Sequence, residues 1–429
     1  MSQEIPNRRV LMVTDEFPPQ PGGRSEKMAS RVKYLHQYGW STVVLTPLPW
    51  KHLVDETLLS KMPTGLVVYR TGYFLRRLFP NLRRELAVHN ESVDKWLDLL
   101  RVFRGFVRWI PYAVLGGWRL IGRYQIDVIY SMNNPVTNHL IAYILHKLTG
   151  KPWVAEFRDP WVKYLYSTRG PDSLDRVLER IVVRNATKVV WYSTLEMEDD
   201  YFNSTYPDQP SRKFLQIPYF GYEEGEFKQI RQMMVYDSSA GPMRIAYVGV
   251  FYKGGRSPEH FLRGLAGFVR ARQLSGTQLQ VTFAGSWGEE YSQLVSDWGL
   301  QDIVKYIGFV PRSQCLELYA RSHILLLLGA RDLRRNFPSK FWDYLGARRV
   351  ILALVPPDSK LGQCIVRENL GIVVPPTDVE AIREGLATLY DRFTRRELGV
   401  SPSSEFLRIT SRADSERRFA SVLDSVVNQ

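Results

Sequence analysis

Short apolar runs alternate with amphipathic stretches along most of the chain, and the alternation falls into two series. The first opens with a β-branched run over Arg9–Thr14, crosses a loop to Gly23, and continues as a helical pattern over Arg24–Gln37 and a strand over Thr42–Leu45. The rhythm returns as strand Val128–Tyr130, helix Pro135–Leu148, strand Trp153–Phe157, helix Ser173–Arg184, strand Lys188–Tyr192 and helix Leu195–Phe202. Strands separated by helices do not pair as hairpins, so this order predicts a parallel sheet in a domain spanning residues 1–218.

Residues 219–242 mix aromatic, charged and small side chains without a sustained period and end in the turn-prone Ser238-Ser239-Ala240-Gly241-Pro242, which reads as a linker. Over 243–412 the alternation restarts. Strands Arg244–Tyr247, Gln278–Phe283, Ile324–Leu328 and Val350–Val355 are interleaved with helices Pro258–Arg272, Glu289–Trp298, Arg312–Arg321 and Lys340–Leu345. A last helical segment within 413–429 puts Phe419, Val422 and Val426 on one stripe. The expected fold class is α/β, with two Rossmann-like, doubly wound domains facing each other across a cleft and ligands at the carboxyl ends of the strands.

Composition narrows the setting. With 429 residues, 45% of them hydrophobic, the chain exceeds the roughly 100–200 residues of one domain. The two cysteines, Cys315 and Cys364, have neither metal-site nor disulfide spacing, which fits a reducing, cytoplasmic compartment. The N-terminal segment lacks the apolar stretch of a secretory signal. The most apolar stretch, 102–121, is interrupted by Arg104, Arg108, Pro111 and Arg119, so no membrane span is expected. A net charge of +13 suits polyanionic partners: anionic lipid, nucleic acid, or a phosphorylated substrate. No nucleic-acid-binding motif accompanies the charge, and nucleic acid is set aside.

Candidate chemistry lies in the loops after the strands. TDEFPPQPGGRSEK places Gly22 and Gly23 at the mouth of a helix, where free amides and the positive dipole end receive an anion, although a plain tight turn uses the same pair. YVGVFYKGGRS brings Lys253, Gly254, Gly255 and Arg256 to a second helix mouth, an arrangement suited to phosphate oxygens or to a basic surface turn. FPSKFWDYL begins a helix with Pro338-Ser339-Lys340, a start that suits a diphosphate. In PWVAEFRDPW the strand ends at Phe157 and delivers Arg158 and Asp159 to the loop. Glu156 points the other way as a structural acid, and an ion pair of Arg158 with Glu156 or Asp159 is the alternative to catalysis. His139 shares a helix face with Ala142 and Tyr143 and reads as a core histidine.

Three of these stretches, in this order, resemble a family 4 glycosyltransferase of the GT-B fold: EFPPQPGGRSEKMASRVKYLHQYGWSTVVLTP, SMNNPVTNHLIAYILHKLTGKPWVAEFRDPW and FPSKFWDYLGARRVILALVPPD. The resemblance runs from about Val10 to Tyr390. It implies transfer of a sugar from a nucleoside-diphosphate donor to a glycan or lipid-linked acceptor, with retention of configuration and no catalytic metal or cofactor. On that reading Arg158 and Asp159 are catalytic, occupying positions where many relatives carry His-Asp. Gly22, Gly23, Lys253, Gly255, Arg256, Pro338, Ser339, Lys340 and Asp343 bind the donor, and Asn133 and Asn134 contact the acceptor. The chain departs from the family at two points: Val250 replaces an Arg, and Arg335 replaces the first acid of the Glu-x7-Glu motif. Asp343 stands for the second acid, whose role resembles a clamp on the donor ribose. Asp-x-Asp, the usual holder of a diphosphate-bound cation, is absent. The charge on the departing diphosphate then falls to Arg, Lys and helix N-termini.

Residues 76–123 interleave ten Lys or Arg and four Asp or Glu with aromatics, a composition that suits peripheral contact with the inner membrane surface or a solvated helical insertion. The resemblance points to cell-surface polysaccharide synthesis on the cytoplasmic side. Two other readings stand beside it: a sugar-nucleotide epimerase of similar build, and a non-catalytic nucleotide-sugar-binding scaffold of a glycan assembly complex.

Overall fold

The computed structural model describes residues 8–20, 23–49, 59, 62–72, 109–133, 136–157, 162, 173–192, 201–217, 221–233, 241–251, 256–329 and 337–428. Two compact units emerge, one from residues 1–192, 199–217 and 416–429, the other from 193–198 and 218–415.

Unit 1 is a seven-stranded, wholly parallel sheet in the order β3-β2-β1-β4-β5-β6-β7. Its strands are β1 (Arg8–Val13), β2 (Trp40–Pro47), β3 (Val67–Thr71), β4 (Val128–Met132), β5 (Trp153–Phe157), β6 (Lys188–Tyr192) and β7 (Phe214–Ile217). Its helices are α1 (Gly23–Gln37), α2 (Ile110–Arg123), α3 (Thr137–Thr149), α4 (Ser173–Asn185) and the short α5 (Tyr201–Thr205). β4, β5 and β6 are buried throughout, as parallel strands covered on both faces must be.

Unit 2 is six-stranded and parallel, in the order β10-β9-β8-β11-β12-β13. It contains α6 (Glu224–Met233), β8 (Met243–Gly249), α7 (Glu259–Arg272), β9 (Leu279–Gly285), α8 (Glu289–Asp297), β10 (Val304–Tyr306), α9 (Arg312–Arg321), β11 (Ile324–Leu328), α10 (Ser339–Ala347), β12 (Val350–Leu354), α11 (Lys360–Arg367), β13 (Gly371–Val374), α12 (Val379–Thr394) and α13 (Ser404–Ile409). Strand order reverses between β1 and β4 in unit 1 and between β8 and β11 in unit 2, which marks the two ligand-binding edges of such sheets.

Two boundaries differ from the sequence expectation. Within 219–242, read as a linker, α6 forms and buries Phe227 and Ile230 in unit 2. Two apolar residues three apart are too few for a sequence pattern to register. The last helix, α14 (Arg412–Val427), is not a separate segment, because from Glu416 onward it belongs to unit 1. Phe419 meets the Tyr130 ring edge-on at 5.0 Å, with Val422 and Val426 buried on the same stripe.

A buried charge cluster fixes α1 and α14 to the sheet of unit 1. Arg31 is fully buried; its Nε donates to Glu416 at 2.7 Å, and its other nitrogens donate to Glu156 and to the hydroxyls of Tyr130 and Tyr192. Tyr130 in turn donates to Glu156 at 2.8 Å, and Lys27 pairs with the second oxygen of Glu156. Burial by itself would raise the pKa of Glu156, but Arg31 and Lys27 outweigh it and hold the carboxyl at about 2. With a folded pKa below the unfolded one, this group stabilises the fold above pH about 4.5 and loses its contribution as pH falls toward 2. Replacing Arg31 with Met removes the buried cation that Glu156 and Glu416 share, and urea unfolding is expected to show a loss of about 3–5 kcal/mol. Asp424→Asn, which breaks a half-exposed pair with Arg8, is expected to cost less than about 1 kcal/mol in the same assay.

Candidate functional site

At the ligand edge of unit 1, the chain leaves β1 through Thr14, Asp15 and Glu16, all buried. Arg24, in the first turn of α1, lies 3.2 Å from Asp15 and donates to Glu16 at 2.8 Å, tying the loop to the helix start. Asn138 on α3 donates to Asp15 at 3.2 Å and to the carbonyl of Met132 at 3.1 Å, which joins the ends of β1 and β4. Burial pushes the Asp15 carboxyl up to about 6 against the opposing pull of Arg24. Gly23 is the first residue of α1, one position earlier than the helix start read from the sequence. Asn133 is buried after β4, its backbone N–H donating to the backbone carbonyl of Glu156 at 2.9 Å.

Gly22, Asn134, Arg158 and Asp159 lie outside the described residues. Glu156 is buried as a structural acid, its partners being Lys27 and Arg31 from α1 and Tyr130 from β4. His139 is buried, with Nδ1 2.8 Å from the Ser131 hydroxyl and its ring against Trp153 and Phe157. Burial lowers its pKa to about 3, so the ring is neutral near pH 7 and belongs to the core.

The ligand edge of unit 2 is built on close backbone approach. β8 and β9 end in Gly249 and Gly285, both at positive φ, and a Cβ on Gly285 would lie 2.1 Å from the Gly249 carbonyl oxygen. Over Gly249 runs the side chain of Lys340, from the first turn of α10; a Cβ on Gly249 would meet its Nζ at 1.9 Å. The glycine therefore makes room for the ammonium. Lys340 donates to the Tyr247 hydroxyl at 2.8 Å, and no carboxylate pairs with it among the described residues. Burial, together with the nearby charge of Arg256, lowers its pKa to about 7. Pro338 is the N-cap of α10 in an extended conformation, and no side chain caps the first turn, whose amides belong to Ser339 and Lys340.

Arg256, Pro338, Ser339 and Lys340 thus share one edge, while Lys253, Gly255 and Arg335 lie outside the described residues. Asp343 sits one turn further along α10, and both of its oxygens accept from Arg312 of α9 at 2.7 and 2.8 Å. Glu226 of α6 accepts from the same guanidinium at 3.0 Å. Arg312 escaped the sequence reading because it belongs to no loop motif, and Tyr247 because it opens YVGVFYKGGRS on the strand side, where an aromatic reads as core; a fixed fork on one helix finds its acids only when three helices pack. Lys27 and Arg31 did leave a sequence signal, as charges bordering the apolar stripe of α1 at Met28, Val32 and Leu35.

No protein-family model matches the sequence, and no curated protein matches it. Solved structures do share the fold. A glycosyltransferase from Rickettsia africae superposes with a TM-score of 0.62 at 13% identity, covering 98% of this chain and 99% of its own. HepE from Anabaena, in complex with UDP, gives 0.54 at 13% identity with 98% of both chains covered. A UDP-GlcNAc 2-epimerase from Neisseria meningitidis bound to UDP-GlcNAc gives 0.58 at 12% identity, covering 97% of this chain and 100% of its own. The two parallel-sheet units therefore form the paired Rossmann-like architecture of the GT-B fold.

Lys340 carries a positive charge in a place that resists it. Its folded pKa lies below the unfolded value of 10.5, so the wild-type fold weakens as pH drops from about 10.5 to 7. Lys340→Met is expected to raise the melting temperature at pH 7 while changing it little near pH 10, measured by differential scanning fluorimetry across that range.

Proposed function

We propose that the chain is a glycosyltransferase that moves a sugar from a nucleoside-diphosphate donor to a glycan or lipid-linked acceptor, with unit 2 holding the donor. One observation carries this reading: at the switch-point edge of unit 2, an ammonium with no carboxylate partner among the described residues, a neighbouring guanidinium and a helix start with no side-chain cap are brought over a glycine floor. Such a cradle suits a diphosphate, whose oxygens accept from Lys340, Arg256 and the first amides of α10. The same groups offset the charge that builds on the diphosphate as the bond to the sugar breaks, so the proposed reaction is metal-independent, and retention of configuration is proposed from the sequence resemblance. Asp343, locked by Arg312, is proposed to present its remaining lone pairs to the donor ribose from a fixed position. Asn133 and its neighbours are proposed to face the acceptor. Assembly of cell-surface polysaccharide, carried out in the cytoplasm, is the setting proposed for the reaction.

HepE is complexed with UDP and the Neisseria epimerase with UDP-GlcNAc, which supports uridine diphosphate sugars as the donors to try first. The epimerase likeness also supports a second reading, conversion of the donor sugar without any acceptor. Incubation of purified protein with UDP-sugars separates the two: free UDP and a glycosylated product that depend on acceptor mark transfer, whereas an epimerised UDP-sugar formed alone marks the alternative. Retained turnover in EDTA is expected. A protein that binds no nucleotide sugar in a broad panel would sink both.

UDP affinity should carry the signature of Lys340. Near pH 7 this lysine is half protonated in the free protein, so binding a diphosphate takes up a proton at higher pH. Calorimetric titration is expected to show affinity falling by up to about tenfold per pH unit between pH 8 and 9, in line with uptake of one proton. Lys340→Arg, always charged, is expected to flatten that slope, and Arg256→Ala to weaken binding about tenfold at every pH through loss of a charged hydrogen bond.

A further inference from the structure

Helix α2 shows an unusual outward face. Its rotation is fixed by packing: a Cβ on Gly117 would lie 2.6 Å from Leu145 Cδ1, and one on Gly116 would lie 2.8 Å from the Tyr69 ring. With Ala113, Leu120 and Ile121 also buried, these glycines turn Pro111, Tyr112, Leu115, Trp118, Arg119, Gly122 and Arg123 outward. A solvent-facing helix side is ordinarily polar. Here Trp118 is 55% exposed, Leu115 47% and Tyr112 40%, and the only charges are two arginines. The helix contains no acidic residue, and among the described residues neither Arg119 nor Arg123 has an acidic partner. Tyr69 of the edge strand β3, 40% exposed and packed beside Gly116, extends the face.

We propose that this face of α2 is a docking surface for an anionic phospholipid bilayer. Tryptophan and tyrosine partition to the boundary between headgroups and acyl chains, and arginines beside them reach lipid phosphates. A helix lying in the interface plane needs a large apolar contact on one side and cations at its margin, and α2 supplies both. Charge also argues against a second copy as the occupant. Two-fold pairing of this face would bring four arginines together with no carboxylate among them, whereas an anionic bilayer provides the missing counter-charge. The chain's net charge of +13 favours approach to the same surface.

The test uses the full chain and sucrose-loaded vesicles of phosphatidylcholine, with or without phosphatidylglycerol, in a sedimentation assay without nucleotide or acceptor, so the result does not depend on the donor reading. Wild-type protein is expected to sediment with the anionic vesicles and only weakly with the neutral ones. Leu115→Ser with Trp118→Ser should reduce the partition coefficient at least about tenfold, given the apolar contact removed. Arg119→Gln with Arg123→Gln should abolish the preference for anionic lipid. All four positions are exposed, so melting temperatures should stay at the wild-type value, and a variant that melts lower is replaced by the single change Trp118→Ala. Vesicle binding that is absent, or unaltered by both pairs of substitutions, overturns the proposal. So does a dimer in light scattering that the Leu115 and Trp118 changes dissolve while leaving vesicle binding intact, which would assign the face to a second copy.

Discussion

The arrangement of unit 1 depends on one constraint: four ionisable side chains, Lys27, Arg31, Glu156 and Glu416, lie beyond the reach of water and must satisfy one another. Ions taken out of water are stable only in such geometry, since any misplacement leaves a charge facing an apolar wall. The two cations sit on α1, one carboxylate on β5, and the other on α14. Meeting the hydrogen-bond needs of Arg31 therefore sets the rotation of α1 against the sheet and the place of α14. The rotation of α1 then decides where its N-terminus and Arg24 meet Asp15 and Glu16. A buried ion cluster adds little net stability, but it allows few alternative packings, and the loops above it inherit that definition.

The ligand edge of unit 2 uses charge in the opposite way. Arg312 has two carboxylate partners and is spent on holding three helices together. Among the described residues Lys340 has a tyrosine hydroxyl and no carboxylate, and it is buried beside Arg256. The contrast is a physical one: the first cation is already neutralised, while burial beside a second cation makes the charge on the other costly. Gly249 and Gly285 take part in this without side chains, because their absence of a Cβ is what lets the ammonium and the adjoining strand end approach.

Much of the interior was legible in the chain, since β11 and β12 are continuous apolar runs and β1, β4 and β5 are largely apolar, as buried parallel strands are. The strands missed at that level were β3, β7, β10 and β13, and all four lie at sheet edges. Edge strands are covered incompletely, their burial patterns are mixed, and short mixed runs such as Val304–Tyr306 resemble loops. α6 escaped for a similar reason: its burial rests on Phe227 and Ile230 within a polar stretch.

The sequence by itself determined the two βα series, the basic and glycine-bearing loops after the strands, and the apolar stripe of the last helix. These follow from local periodicity and from backbone positions that only particular residues can occupy. Tertiary structure decided the rest. It chose Lys27 and Arg31 as the partners of Glu156, 129 and 125 residues apart in sequence, and it assigned the last helix to unit 1 from Glu416 onward. It also gave Asp343 to Arg312 and turned Trp118 outward by closing two glycines against the sheet. Each outcome is a pairing between distant segments, and neither propensity nor spacing along one segment records which distant group will supply the opposite charge or the van der Waals contact.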